Sequence, residues 1–426
     1  MQDSSLNPFD AAAILIVLAA VLGYLNHRYL RLATAVGLTL MGAIASLLVV
    51  GLDRLLPGSD LAGQVTAFLA EIDFHATLME GMLSFLLFAG ALHVDWTEMR
   101  RGRWPILVLS TIGVLLSTLI VGSAFWALTG SMGLAIAPIW CFVFGALISP
   151  TDPVAVMGVL KRAAVPPTLQ ATVAGESLFN DGVGVVVFSI LLAAAIGTAP
   201  FSIAHAAEAF LIEAGGGVLL GLAVGWIGFR AMRSIDEYNV ELMISLAIVM
   251  GGYSLAQALH VSGPVAMAVA GLLIGNAGVA LAMSDTTRDH VLKFWALIDE
   301  LLNAILFLLI GLEVIAISPD PGLLVAGLAA IPIVLAGRAL AVSIPLAAMR
   351  PIASTRGLSL PILVWGGLRG GISIALALSL PEGPARTTIL AATYLIVLFS
   401  VIVQGGTIER LIERLARHDE RKIRQV

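Results

Sequence analysis

Long apolar runs separated by short polar loops dominate the pattern along this chain. The runs are continuous, without the apolar–polar alternation of a barrel strand, so they predict helices. A helix needs about 20 apolar residues to cross roughly 30 Å of hydrocarbon. Thirteen stretches have that character: 9–25, 32–52, 74–94, 104–129, 134–160, 168–197, 208–229, 239–259, 261–282, 294–317, 322–349, 358–379 and 388–408, here called spans 1 to 13. The stretch 61–70 is too short to cross. Span 1 is expected to stay as a helix rather than serve as a secretion signal, because Asp3 and Asp10 lead it and no Lys or Arg does. The expected fold class is an all-α polytopic membrane protein with about thirteen transmembrane helices.

Composition agrees with that reading. Apolar residues make up 59% of the chain and charged residues 12%, against roughly 45–50% and 25% in soluble domains. The main environment is therefore the lipid bilayer. A net charge of −5 over 426 residues suggests no nucleic-acid partner. Cys141 is the single cysteine, which excludes an internal disulfide framework and a Cys-rich metal site.

Nineteen of the 23 basic residues fall in odd-numbered loops and the tail, from Arg28 and Arg31 through Lys161, Arg350 and Arg356 to Arg424. Even-numbered loops hold only Arg54 and Arg386. The positive-inside rule then puts the N-terminus outside and a short tail, 409–426, in the cytoplasm of a cell with this protein in its inner membrane.

The two remaining basic residues, Arg338 in span 11 and Arg369 in span 12, lie at membrane depth. A cation there costs a few kcal/mol even on the gentlest scale, so each needs an anionic or carbonyl partner. Asp152 in span 5 and Glu176 and Asp181 in span 6 are the acidic residues at comparable depth. Asp299, Glu300 and Glu313 sit closer to the ends of span 10, and Glu80 and Glu241 near span ends where solvation is expected.

Two spans are expected to break. Span 5 contains Ser149-Pro150-Thr151-Asp152-Pro153, and each proline removes an amide donor and clashes with the preceding turn. Span 12 contains Gly366-Gly367-Leu368-Arg369-Gly370-Gly371. Irregular backbone at this depth survives only where protein or a wet cavity covers it. The breaks are seven spans apart, and an odd offset inverts orientation. Spans 1–6 and 8–13 can thus form two inverted six-helix repeats joined by span 7, and paired interruptions of this kind mark a transporter's binding site.

Span 6 reads Gly175-Glu176-Ser177-Leu178-Phe179-Asn180-Asp181-Gly182. Glu176, Asn180, Ser177 and Asp181 fall within a sector of about 140° at 100° per residue. Such an oxygen-rich face suits a hard cation such as Na+, and nothing beside it offers the nitrogen or sulfur that a transition metal prefers. Plain helix-to-helix hydrogen bonding is the bland alternative. Another is an intramembrane aspartyl protease using Asp152 and Asp181, but its Tyr-Asp and Gly-x-Gly-Asp signatures are absent. A nucleophile elbow and a Walker-type phosphate loop are also absent, so neither enzymatic hydrolysis nor direct ATP use is indicated.

Thr151-Asp152-Pro153, the run Gly175–Gly182, Gly311 near Glu313, and Gly367-Leu368-Arg369-Gly370 together resemble prokaryotic NhaP-type sodium/proton antiporters, relatives of animal sodium/hydrogen exchangers. The resemblance covers essentially the whole membrane domain, 1–408. It implies a homodimer with a scaffold of spans 1–3 and 8–10, a moving core of spans 4–6 and 11–13, and spans 5 and 12 crossed at their unwound stretches. It further implies that Asp181 binds Na+ and H+ in turn, with Asp152, Ser177, the Thr151 carbonyl and Glu176 completing the site. Arg338 would hold Glu176, Arg369 would compensate the unwound backbone, and Asn180 beside Asp181 resembles the electroneutral branch. With so short a tail, the long regulatory tails of some relatives are expected to be missing. K+/H+ exchange on the same fold is the alternative, and no resident cofactor is expected.

Overall fold

The computed structural model describes residues 8–56, 60–134, 136–163, 165–197, 202–316, 320–349 and 359–423. Asp3, Arg350, Arg356 and Arg424 lie outside them, as do the side chains of Arg54, Glu80, Arg417, His418, Arg421 and Lys422. Helices fall on each of the thirteen apolar stretches, and the single β contact among the described residues is an isolated antiparallel bridge. Nine described helices are long and apolar enough to cross a membrane unaided, and a bent pair, Leu61–Met79 with Leu83–Leu92, makes a tenth if counted as one span.

Spans 5 and 12 are each interrupted within the apolar stretch. Span 5 is the helices Pro138–Leu147 and Val154–Arg162, and span 12 is Leu360–Trp365 and Gly371–Leu378. Pro150 and Pro153 stop the first and the glycine cluster stops the second, where the sequence places the breaks.

Lipid is as apolar as leucine, so helices in a bilayer hold together through close packing rather than water exclusion. Small residues set the closest approaches. Gly217, Gly221 and Gly225 recur at every fourth position of the helix Ile203–Arg233 and meet Ser262, Ala266 and Ala270 of span 9. A Cβ at Gly311 in span 10 would lie 2.5 Å from the Thr39 carbonyl oxygen of span 2. Those two helices are also stitched by Thr39 Oγ1 donating to Phe307 O (3.0 Å) and Ser46 Oγ to Leu312 O (2.6 Å).

Three buried apolar clusters result, and Met79 and Ile372 pack against all three. Ile372 is the second residue of the second half of span 12, so the clusters converge at the break. Glu241 departs from its expected solvation. It is fully buried under the helix Asp285–Leu312, one turn from Ser245, whose hydroxyl accepts from Trp295 Nε1 (2.9 Å). Packing by a neighbouring helix covers what span-end position alone would leave in water.

Candidate ion-binding site at the crossing of two broken helices

A broken helix leaves carbonyls and amides without partners, and each unpaired group in a bilayer costs free energy until something satisfies it. Here the two breaks satisfy each other. Asp152 N donates to Leu368 O (2.9 Å), which makes the bridge between the unwound stretches. Arg369, 2% exposed, donates through Nη1 to the Ser149 carbonyl and to Pro150 O (3.0 Å). Its own amide donates to Ser400 Oγ (2.8 Å), and Ser400 begins a π-helical turn, Ser400–Gln404, in span 13. Gln404 accepts from that hydroxyl (2.8 Å) and donates to Trp365 O (3.1 Å), closing the first half of span 12.

Arg338 secures the other end. Its Nε and Nη2 donate to Leu363 O at 3.2 and 2.8 Å, satisfying a carbonyl in the last turn of the helix Leu360–Trp365. Its Nη1 and Nη2 also grip both oxygens of Glu176, the second at 3.1 Å. Gly367 leaves the space that the guanidinium fills. Both residues are buried, at 8% and 2% exposure, so the pair is shielded from water and salt.

The polar face of span 6 therefore splits by task within the helix Pro167–Ile196. Glu176 is turned to Arg338 and is absent from the cavity wall described below. Asn180 clasps Thr151, accepting from its amide (3.2 Å) and donating to its hydroxyl (2.8 Å). Ser177 Oγ bonds the Thr151 carbonyl and lies 3.3 Å from its hydroxyl. Asp152 accepts from Val154 N (2.8 Å), which starts the second half of span 5. Gly182 and Gly184 admit Val265 and Pro150 against the helix on either side of Asp181.

Asp181 and Asp152 line one cavity of about 490 Å³, with Thr151 in its wall. The cavity runs to the helix ends at Asp95, Glu98 and Lys161, while packed apolar residues including Val183, Val187 and Phe188 lie beyond Asp181. Sequence reasoning left Asp299 at a span end and passed over Asn303. Both line this cavity, joined by Asn303 Nδ2 donating to Asp299 Oδ1 (3.0 Å). Their four-residue spacing on span 10 was the available signal. The carboxylates of Asp152, Asp181 and Asp299 therefore line one cavity. Glu313 belongs elsewhere, buried and accepting from Tyr394 Oη (3.0 Å).

The comparisons with known proteins agree with this architecture. The transmembrane sodium/hydrogen exchanger family profile matches residues 16–414. The Na+/H+ antiporter NhaP of Pseudomonas aeruginosa is 47% identical over 412 residues, 95% of this chain and 96% of that one. The Na+/H+ antiporter NhaH of Halobacillus dabanensis is 34% identical, over 91% and 93% of the two chains. The solved sodium proton antiporter MjNhaP1 of Methanocaldococcus jannaschii shares the fold, with a TM-score of 0.73 at 22% identity over 96% of this chain and 98% of that one. Multi-pass, helical, and matched to the family profile over nearly its whole length, the chain belongs to the sodium/hydrogen exchanger family.

Proposed function

We propose that this chain is a secondary active antiporter that exchanges Na+ for H+, the activity after which its relatives are named. The observation that carries the reading is Asp181, a carboxylate beside the crossed breaks in the wall of a cavity that reaches one end of the helices. An ionised carboxylate in a dehydrated site is unfavourable, so it takes either a cation or a proton. If only those neutralised forms move, the two ligands alternate and their fluxes are coupled. Asp181, Asp152 and Thr151, all in the cavity wall, supply oxygen ligands for Na+, the cargo, and Ser177, outside that wall and bonded to the Thr151 carbonyl, joins them by turning its hydroxyl. Glu176, held by Arg338, acts through the geometry of span 6. The protein needs no catalysis and no resident cofactor for this.

Alternating access then requires spans 4–6 and 11–13 to move as a core against a dimeric scaffold of spans 1–3 and 8–10. The close Gly311–Thr39 approach inside the scaffold, and that of Gly145 to the Thr118 carbonyl inside the core, support this grouping. We place the protein in the inner membrane with its N-terminus outside and its tail inside, as two inverted repeats. The cavity would then open to the cytoplasm.

Purified protein in proteoliposomes with an internal pH dye tests the activity. A Na+ pulse is expected to drive proton flux, with Li+ and K+ pulses giving the selectivity. No Na+-dependent flux would remove the proposal. Gly370 offers a local check, since a Cβ there would lie 2.5 Å from Asp152 Oδ2. Gly370→Ala is expected to displace that carboxylate and slow Na+-driven flux by about tenfold or more. Wild-type flux in this variant would show that Asp152's position is unimportant.

We infer one Na+ for one H+, with Asp181 as the carboxylate that takes the proton and Asp152 staying ionised throughout: Asn180 cannot titrate and Arg338 occupies both Glu176 oxygens. The cation-loaded and proton-loaded forms then carry equal charge, and membrane potential adds nothing to the driving force. Two protons per Na+ would instead gain about 2.3 kcal/mol per 100 mV. Potential clamped with K+ and valinomycin separates the two. The Na+ gradient that nulls proton flux is expected to stay fixed, and a shift with potential would require a second titrating group.

A further inference from the structure

Several buried hydroxyls in the uninterrupted helices of this protein bond back one turn, as helix hydroxyls commonly do. Thr129 Oγ1 donates to Phe125 O (2.9 Å), Thr172 to Thr168 O (2.7 Å) and Thr393 to Ile389 O (2.7 Å). Ser373 is the exception in the cavity wall. It is 1% exposed, lines the same cavity as Asp181 and Asp152, and its Oγ has no hydrogen-bond partner among the described residues. Four residues before Ser373 stands Arg369, in the unwound stretch, so the usual one-turn acceptor is not part of a helix here.

Ser373 is the third residue of the helix Gly371–Leu378, whose N-cap is Gly370. A side chain at that position leans back over the N-cap, the geometry used by capping boxes. The groove at Gly370 is filled by the Asp152 carboxylate. Helical period sets Ser373 about 60° from Gly370, on the side of span 12 that lines the cavity. Na+ is hard and takes oxygen ligands, neutral ones included. We propose that Ser373 Oγ is an additional neutral oxygen ligand for the transported cation, contributed from the second half of span 12.

This rests on the antiport reading and makes it more specific. A neutral ligand strengthens cation binding without adding a titrating group, so it leaves the charge balance of exchange unchanged. It also selects for Na+ against H+ at Asp181, because only the cation uses it. Losing it raises the Na+ concentration needed to displace the proton.

The test measures Na+ KM and Vmax of proton flux at several pH values in proteoliposomes. In Ser373→Ala the Na+ KM is expected to rise about tenfold, the equivalent of one modest ligand contact. Vmax stays within about twofold, the estimate applying to transition-independent binding. The proton affinity obtained from the pH dependence of KM stays as in wild type, and at subsaturating Na+ the activity onset moves to higher pH. Ser373→Cys, close in volume but offering soft sulfur, should behave like Ala, whereas Ser373→Thr should retain the wild-type KM. Ser117→Ala is the control, a buried hydroxyl also without a partner among the described residues but absent from the cavity wall. An unchanged KM in both the Ala and Cys variants, or a loss confined to Vmax, overturns the proposal while wild-type exchange stands. A wild-type protein without Na+-driven flux removes the antiport reading, and this proposal with it.

Discussion

Asp181→Asn is expected to reduce Na+-driven proton flux to the level of empty vesicles while the protein remains folded. Asparagine keeps the size of the side chain and its place in the cavity wall. What it loses is the ability to carry either a negative charge or a removable proton, and exchange at one carboxylate needs both. The fold should tolerate the change because Asp181 makes no ion pair among the described residues. Dequenching of the pH dye after a Na+ pulse gives the activity, and a melting curve in detergent gives the stability. Near-normal flux from a folded variant would move the ion site away from Asp181.

Arg338→Ala should act in the opposite way, on stability before affinity. It would leave Glu176 buried without its countercharge, and breaking a buried pair from one side costs about 3–5 kcal/mol. It would also free the Leu363 carbonyl, which two guanidinium nitrogens now satisfy. A melting temperature lowered by several degrees is expected, with a smaller change in Na+ KM for whatever protein survives. Replacing both partners by apolar residues, Glu176→Leu with Arg338→Met, should recover part of the loss, because a well-packed apolar pair removes the unpaired charge. If Arg338→Ala melts like wild type, the pair contributes nothing net, and Arg338 is kept for another reason.

The helices and their interruptions were legible from the chain alone, because both are local properties. An apolar run of about 20 residues has few fates other than a bilayer helix. Pro150, Pro153 and the Gly366–Gly371 cluster break helices through their own backbone chemistry. The polar face of span 6 was equally visible, since residues 176, 177, 180 and 181 share a side by helical period alone. The face did not reveal how its members divide. Helical angle puts Glu176 and Asp181 in one sector, yet the fold turns Glu176 to Arg338 and Asp181 to the cavity.

Tertiary structure alone decided the remaining arrangement. Which unwound carbonyl meets which donor depends on the crossing of two segments more than 200 positions apart, as in the Arg369–Pro150 contact. Asp299 and Asn303 look like span-end residues until span 10 packs beside the breaks, and Glu241 looks solvated until Trp295 covers its helix. Ser373 reads as one more helix hydroxyl until the fold shows it in the cavity wall without a partner among the described residues. Sequence determines where a helix forms and fails because those energies are local. The partners of the backbone groups freed at a break are chosen by packing, because lipid supplies none and only protein or a wet cavity can.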